Sequence, residues 1–165
     1  MFTKRHFLGV GLLAALLAAV PALLAHDNRV VLDDHNWVLT QVNDLDSTLS
    51  VLTDGDTHPP IYQVNVLRPS AIYLERPVPD TVLTKNPLTL KFRARAETNR
   101  KIWATLLEDQ VKSWGQEIEL TSEWKEYQLT LPLKQPQAGP ARLALKVGGR
   151  SGEVDITDIK VVHGS

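Results

Sequence analysis

Leu88-Thr-Leu-Lys-Phe-Arg-Ala-Arg-Ala96 alternates without a break: Leu88, Leu90, Phe92, Ala94 and Ala96 share one phase, and Thr89, Lys91, Arg93 and Arg95 the other. A period of two puts every apolar side chain on one side of an extended backbone, the pattern of a strand with one buried face. The same period recurs in Tyr127-x-Leu129-x-Leu131-x-Leu133 and in Leu143-x-Leu145-x-Val147. Further strands are expected at Val30–Leu32, Trp37–Val42, Thr48–Leu52, Ile61–Leu67, Ala71–Glu75, Lys101–Leu107 and Gln116–Leu120.

Turn chemistry separates these runs: Asp54-Gly55-Asp56, His58-Pro59-Pro60, Arg76-Pro77-Val78-Pro79-Asp80, Asn86-Pro87, Gly139-Pro140 and Gly148-Gly149. Ala94–Asp109 is the one stretch with a helical reading, and its β-branched and aromatic residues and Thr98-Asn99 oppose it. About ten short strands with frequent turns predict an all-β antiparallel sandwich or barrel. In the last strand Val154 and Ile156 are out of phase with Ile159 and Val161. A β-bulge at Thr157-Asp158 would bring all four to the core.

The 165 residues are 43% hydrophobic and 22% charged, an ordinary globular balance that disfavours a disordered tail, a collagen-like repeat or a coiled coil. Cysteine is absent, which excludes disulfides, thiol catalysis, a lipid anchor on Cys and Cys-based zinc sites. Lys4, Arg5 and His6 precede an apolar run from Phe7 to Leu24, and Ala25 is followed by the polar His26-Asp27-Asn28-Arg29. This is the anatomy of a secretory signal peptide, residues 1–25, with cleavage expected after Ala25 and Ala22 as the alternative. An uncleaved anchor is the competing reading, opposed by Pro21 and the small residues near the end of the run. The mature domain, residues 26–165, keeps 16 Lys+Arg against 19 Asp+Glu, which disfavours a general nucleic-acid binder. Export predicts a secreted or periplasmic protein that leaves the membrane once the signal is removed.

No phosphate loop, His-Glu-x-x-His helix or Gly-x-Ser-x-Gly elbow is present. His26, His35, His58 and His163 occur singly, Asp33-Asp34-His35 reads as an exposed loop, and Asp44-x-Asp46 and Asp54-Gly55-Asp56 read as turns. Glu117 and Glu119 share a strand face without the setting that would raise a catalytic acid's pKa. The aromatics are more informative. Four of the eight mature aromatic residues are tryptophans. Trp103 is out of phase with Ile102, Ala104 and Leu106, so it either faces outward or packs at the sheet edges or under a loop. Trp114 falls in the loop-like Val111–Gly115, and Trp37 and Trp124 open strands as core or rim residues. An exposed indole beside polar side chains suits a sugar ring, whose C–H face stacks while its hydroxyls hydrogen-bond.

Leu88–Glu97, Arg100–Leu107, Trp114, Thr121-Ser-Glu-Trp-Lys-Glu-Tyr127, Ala141–Gly149 and Val154–Ile159 together resemble carbohydrate-binding modules of families 4, 9 and 22. These are jelly rolls of the galactose-binding-like superfamily, attached to cellulases and xylanases. The resemblance covers about Ala71 to Val162 and implies a non-catalytic module that binds a glycan chain on a concave sheet face. Carried over by position, the ligand-binding residues are Trp103, Asp109, Trp114, Arg142 and Lys146, with Tyr73 and Glu75 on a further strand. Such modules commonly offer neutral amides where this chain has Arg142 and Lys146, which leaves acidic or decorated glycans open. They also commonly hold a structural calcium, here implied at Asp158, although the usual N-terminal partner motif is not recognisable. The resemblance leaves room for an envelope or glycoside-hydrolase partner, which the sequence does not identify. The alternative is a structural or protein-interaction sandwich of the cell envelope without a sugar site, and a small hydrolase is a third reading.

Overall fold

The computed structural model describes residues 30–54, 58–79, 87–108, 111–131 and 140–163. The signal peptide expected over residues 1–25 lies outside them, as do Asp109 and Leu133. The described residues form eleven strands: β1 (Val30–Leu32), β2 (Val38–Gln41), β3 (Ser47–Leu52), β4 (Ile61–Val66), β5 (Ile72–Val78), β6 (Leu88–Ala96), β7 (Arg100–Glu108), β8 (Val111–Leu120), β9 (Lys125–Leu131), β10 (Ala141–Lys146) and β11 (Gly152–His163). Among the described residues there is no helix, so Ala94–Asp109 extends as far as it is described.

The strands form two antiparallel sheets. One has six strands in the order β3-β4-β11-β6-β9, with β1 also paired to β11; the other has five, β2-β5-β10-β7-β8. The chain changes sheet at most connections, as in a jelly-roll sandwich. The two inner faces pack as one core. Phe92, Ile102, Leu106, Leu129, Leu143, Leu145 and Ile156 are buried in it, joined by Trp37. Tyr127 packs against the core more partially, with its ring stacked on Phe92 at 5.3 Å and its hydroxyl donating to the Glu119 carbonyl.

The phase slip in the last strand is a bulge. Thr157 opposes Arg93 and Lys160 opposes Lys91, so Asp158 and Ile159 together face the single residue Phe92. Asp158 takes the left-handed conformation, φ 51°, which its short polar side chain tolerates better than most. Val154 and Ile156 before the bulge and Ile159 and Val161 after it are all buried.

Two expectations are corrected. Arg76-Pro77-Val78 is strand rather than turn, because β5 continues opposite β10 to the pair Val78–Ala141. The missing N–H of Pro77 is tolerated there because β2 stops opposite Glu75, leaving Pro77 with a neighbour on one side only. Val111–Gly115 is likewise strand, paired with β7 as part of β8.

Candidate functional site

The outer face of the five-stranded sheet carries a row of directly opposed residues, one from each strand: Thr40, Tyr73, Lys146, Trp103 and Glu117. Opposed residues of an antiparallel pair point to the same face. The row exists because β7 and β10 alternate strictly: Ile102, Ala104 and Leu106, and Leu143 and Leu145, go to the core, leaving Trp103 and Lys146 outside. Trp103 is 37% exposed, a large value for an indole in the interior of a sheet. The Lys146 ammonium lies 6.0 Å from the centre of the Tyr73 ring, within cation–π range.

A groove of about 510 Å³ opens beside the Lys146–Trp103 pair in the middle of this row, lined by Asn99, Arg100, Lys101, Trp103, Glu119, Lys146, Gly149 and Arg150. Four of these residues are basic and one is acidic. Lys101 pairs with Glu117 at 2.7 Å, and hydrogen bonding to that carboxylate raises its pKa. Arg100 is buried and donates to the Ser151 and Gly152 carbonyls, which fixes the turn following Arg150. Burial lowers its pKa, helped by the nearby Arg150 charge, and its Nε has no hydrogen-bond partner among the described residues. Arg150 is exposed and reaches back to the Asn99 carbonyl at 3.1 Å.

The structure gathers some of the residues singled out in the sequence and separates others. Trp103, Lys146 and Tyr73 stand side by side in one row. Glu75 and Arg142 share the face but engage each other. Glu75 is buried and its Oε1 accepts from Thr40 at 2.9 Å and from Arg142 at 3.1 Å. Trp114 opposes Leu106, a core residue, and packs against the core from the inner face. An extra residue, Ser113, interrupts the β7–β8 register there, since Leu107 pairs with Lys112. Trp114 and Trp103 therefore lie on opposite faces of the sheet. Asp109 falls outside the described residues.

Lys101, Glu119 and Arg150 were not among the residues proposed from the sequence as ligand-binding. The outward phases of Lys101 and Glu119 could have nominated them, whereas Arg150 follows the Gly148-Gly149 turn and has no strand phase to read.

Asp158, the position implied for calcium, already has a cationic neighbour. Its carboxylate oxygens take the Lys160 ammonium at 3.0 and 3.2 Å, so a cation would have to displace a charge already present. Among the described residues no three His, Cys, Asp or Glu side chains come together. Asp33, beside His35, is tied to Arg76 at 2.8 Å, and that hydrogen bond holds its carboxyl below the usual range.

No family profile matches the chain, and no curated protein matches it in sequence. Solved structures do. A CBM4 carbohydrate-binding module superposes with a TM-score of 0.63 at 20% identity, over 82% of this chain and 94% of that one. The CBM22-1 xylan-binding domain of Paenibacillus barcinonensis Xyn10C gives 0.58 at 10% identity, over 86% of this chain and 99% of that one. The family 11 carbohydrate-binding module of Clostridium thermocellum, in complex with a β-1,3-1,4-mixed-linked tetrasaccharide, gives 0.54 at 14% identity, over 81% and 94%. At these identities the likeness is one of architecture: the chain has the β-sandwich fold of carbohydrate-binding modules.

Proposed function

We propose that this protein is an exported, non-catalytic glycan-binding module that holds a saccharide chain against the outer face of its five-stranded sheet. The observation that carries this reading is Trp103, an exposed indole in the interior of that face, flanked by Lys146 on one strand and Glu117 on the other. A flat apolar ring surrounded by hydrogen-bonding side chains meets both halves of a pyranose, its C–H face and its hydroxyls. Fold likeness to carbohydrate-binding modules supports the reading. Export rests on residues 1–25, and the compartment in this reading is the periplasm or the exterior.

Affinity electrophoresis and calorimetry against soluble polysaccharides test this. Trp103→Ala should weaken binding by at least ~1–2 kcal/mol, the scale of losing an aromatic anchor. Binding that survives Trp103→Ala undiminished would move the site to another face.

A second reading, a protein-interaction sandwich of the cell envelope, draws on the ion pairs Glu75–Arg142 and Lys101–Glu117, which close part of the face. Failure to bind any polysaccharide would favour it.

A further inference from the structure

From the groove beside Trp103 and Lys146, and resting on the glycan-binding reading, we infer that the ligand is acidic: a uronate ring stacks on Trp103 while Lys146 and Arg150 take its carboxylate. A sugar hydroxyl both donates and accepts, so a neutral glycan is best served by groups that do the same, such as amides. The groove's basic side chains, Arg100, Lys101, Lys146 and Arg150, only donate. Lys101 is already paired with Glu117, Arg100 donates to the carbonyls of Ser151 and Gly152, and Arg150 gives one N–H to the Asn99 carbonyl. Neither Lys146 nor Arg150 forms an ion pair with a carboxylate among the described residues.

Placement gives the same answer. Lys146 is directly opposite Trp103 on the neighbouring strand and lines the same groove, so its ammonium can reach the edge of a ring stacked on the indole. A uronate carries its carboxylate at that edge, projecting from the ring. The Arg150 guanidinium reaches in from the Gly148–Arg150 turn and offers a planar, bidentate partner for a carboxylate. Glu119 is the acidic residue of the groove and opposes Lys101, so its charge falls beside an existing cation rather than between Lys146 and Arg150. Lys146, against the Tyr73 ring, and Arg150, on the Asn99 carbonyl, have no carboxylate partner among the described residues, and an acidic sugar would supply one where a neutral chain would not.

The test titrates the mature protein with polygalacturonate and with a neutral mixed-linked β-glucan, at low salt and at 0.5 M sodium chloride. Polygalacturonate is expected to bind at least tenfold more tightly at low salt, with the advantage shrinking as salt screens the charges. In Lys146→Gln/Arg150→Gln that advantage should fall at least tenfold with the melting temperature unchanged. Arg93→Gln/Lys125→Gln, which removes the same charge from exposed sites on the other sheet, should keep it. Equal or tighter binding of the neutral glucan overturns the inference and leaves glycan binding standing. Failure of both polysaccharides to bind overturns glycan binding and this inference with it. Binding of single-stranded DNA or dextran sulfate as tight as that of polygalacturonate would overturn it in favour of a general polyanion surface.

Discussion

Arg142 Nη1 donates to Glu75 Oε1 at 3.1 Å, diagonally across the β5–β10 pair, and the carboxylate is the hidden partner: 9% of the Glu75 side chain is exposed against 51% for Arg142. Thr40 supplies a second hydrogen bond to the same oxygen from β2. The pair therefore staples three adjacent strands at the centre of the outer face. Removing one member of such a pair leaves the other to bear its desolvation alone. Arg142→Gln should cost ~1.5–3 kcal/mol in urea unfolding, because a buried carboxylate keeps only the Thr40 hydroxyl. Glu75→Gln in the same background should recover part of that loss, giving a coupled cycle. Strictly additive effects would mean that the two side chains do not sense each other in solution.

Gly148 is required by packing. A Cβ there would strike the Ser70 carbonyl oxygen and come within 2.8 Å of Ile72 Cβ and 2.9 Å of Ile72 N, all of them held in place by strand and turn hydrogen bonds. Gly148→Ala should destabilise by ~1–3 kcal/mol or more, since backbone has to move to admit the methyl group. Its neighbour is the comparator: a Cβ on Gly149 has the Lys101 carbonyl at 3.9 Å as its nearest contact. Gly149→Ala should stay within about 0.5 kcal/mol of wild type. Thermal melts of the two variants decide the point.

Asp158 and Lys160 lead to a prediction about cations. With both carboxylate oxygens engaged by the ammonium, neither added calcium nor a chelator should move the melting temperature. A ligand that bound only the folded state would raise it, so a chelator-induced fall would show that calcium displaces Lys160.

The fold was legible because alternation survives in the strands that pack the core. Phe92 is the clearest case: its phase, its partner Tyr127 and its burial all agree. Phe92→Ala should therefore cost about 3–5 kcal/mol, measured by denaturant unfolding. Even the bulge at Asp158 could be read, since apolar residues on both sides of the slip made it visible. The site was legible only where a strand held its phase. Trp103 and Lys146 were placed outward by their neighbours, and they are outward. Arg142 was outward too, but its capture by Glu75 depends on strands 67 residues apart in sequence, which no local pattern reports. Trp114 failed for the converse of the Asp158 reason. Its bulge lies at Ser113, in Val111-Lys-Ser-Trp-Gly115, where too few apolar residues flank the slip to betray it.

Trp103 and Trp114 supply the last prediction, because β7 and β8 present them to opposite faces of one sheet. A residue that serves binding and one that serves packing respond differently to the same truncation. Trp114 packs against the core and is half-buried, so Trp114→Ala should cost roughly 2–3 kcal/mol of stability, less than a fully buried aromatic. The folded fraction of that variant should still bind polysaccharide with near wild-type affinity. Trp103→Ala should do the reverse, because an indole 37% exposed on the outer face loses less packing when truncated than one set against the core. Its unfolding midpoint should fall less than that of Trp114→Ala, while glycan affinity drops by tenfold or so, the equivalent of about 1.4 kcal/mol. Fluorescence of the variants separates the two against the background of Trp37 and Trp124: saccharide should protect wild type and Trp114→Ala from an acrylamide quencher and leave the quenching of Trp103→Ala unchanged. If saccharide protected the Trp114 contribution instead, with affinity lost in Trp114→Ala and kept in Trp103→Ala, the binding face would be the other one.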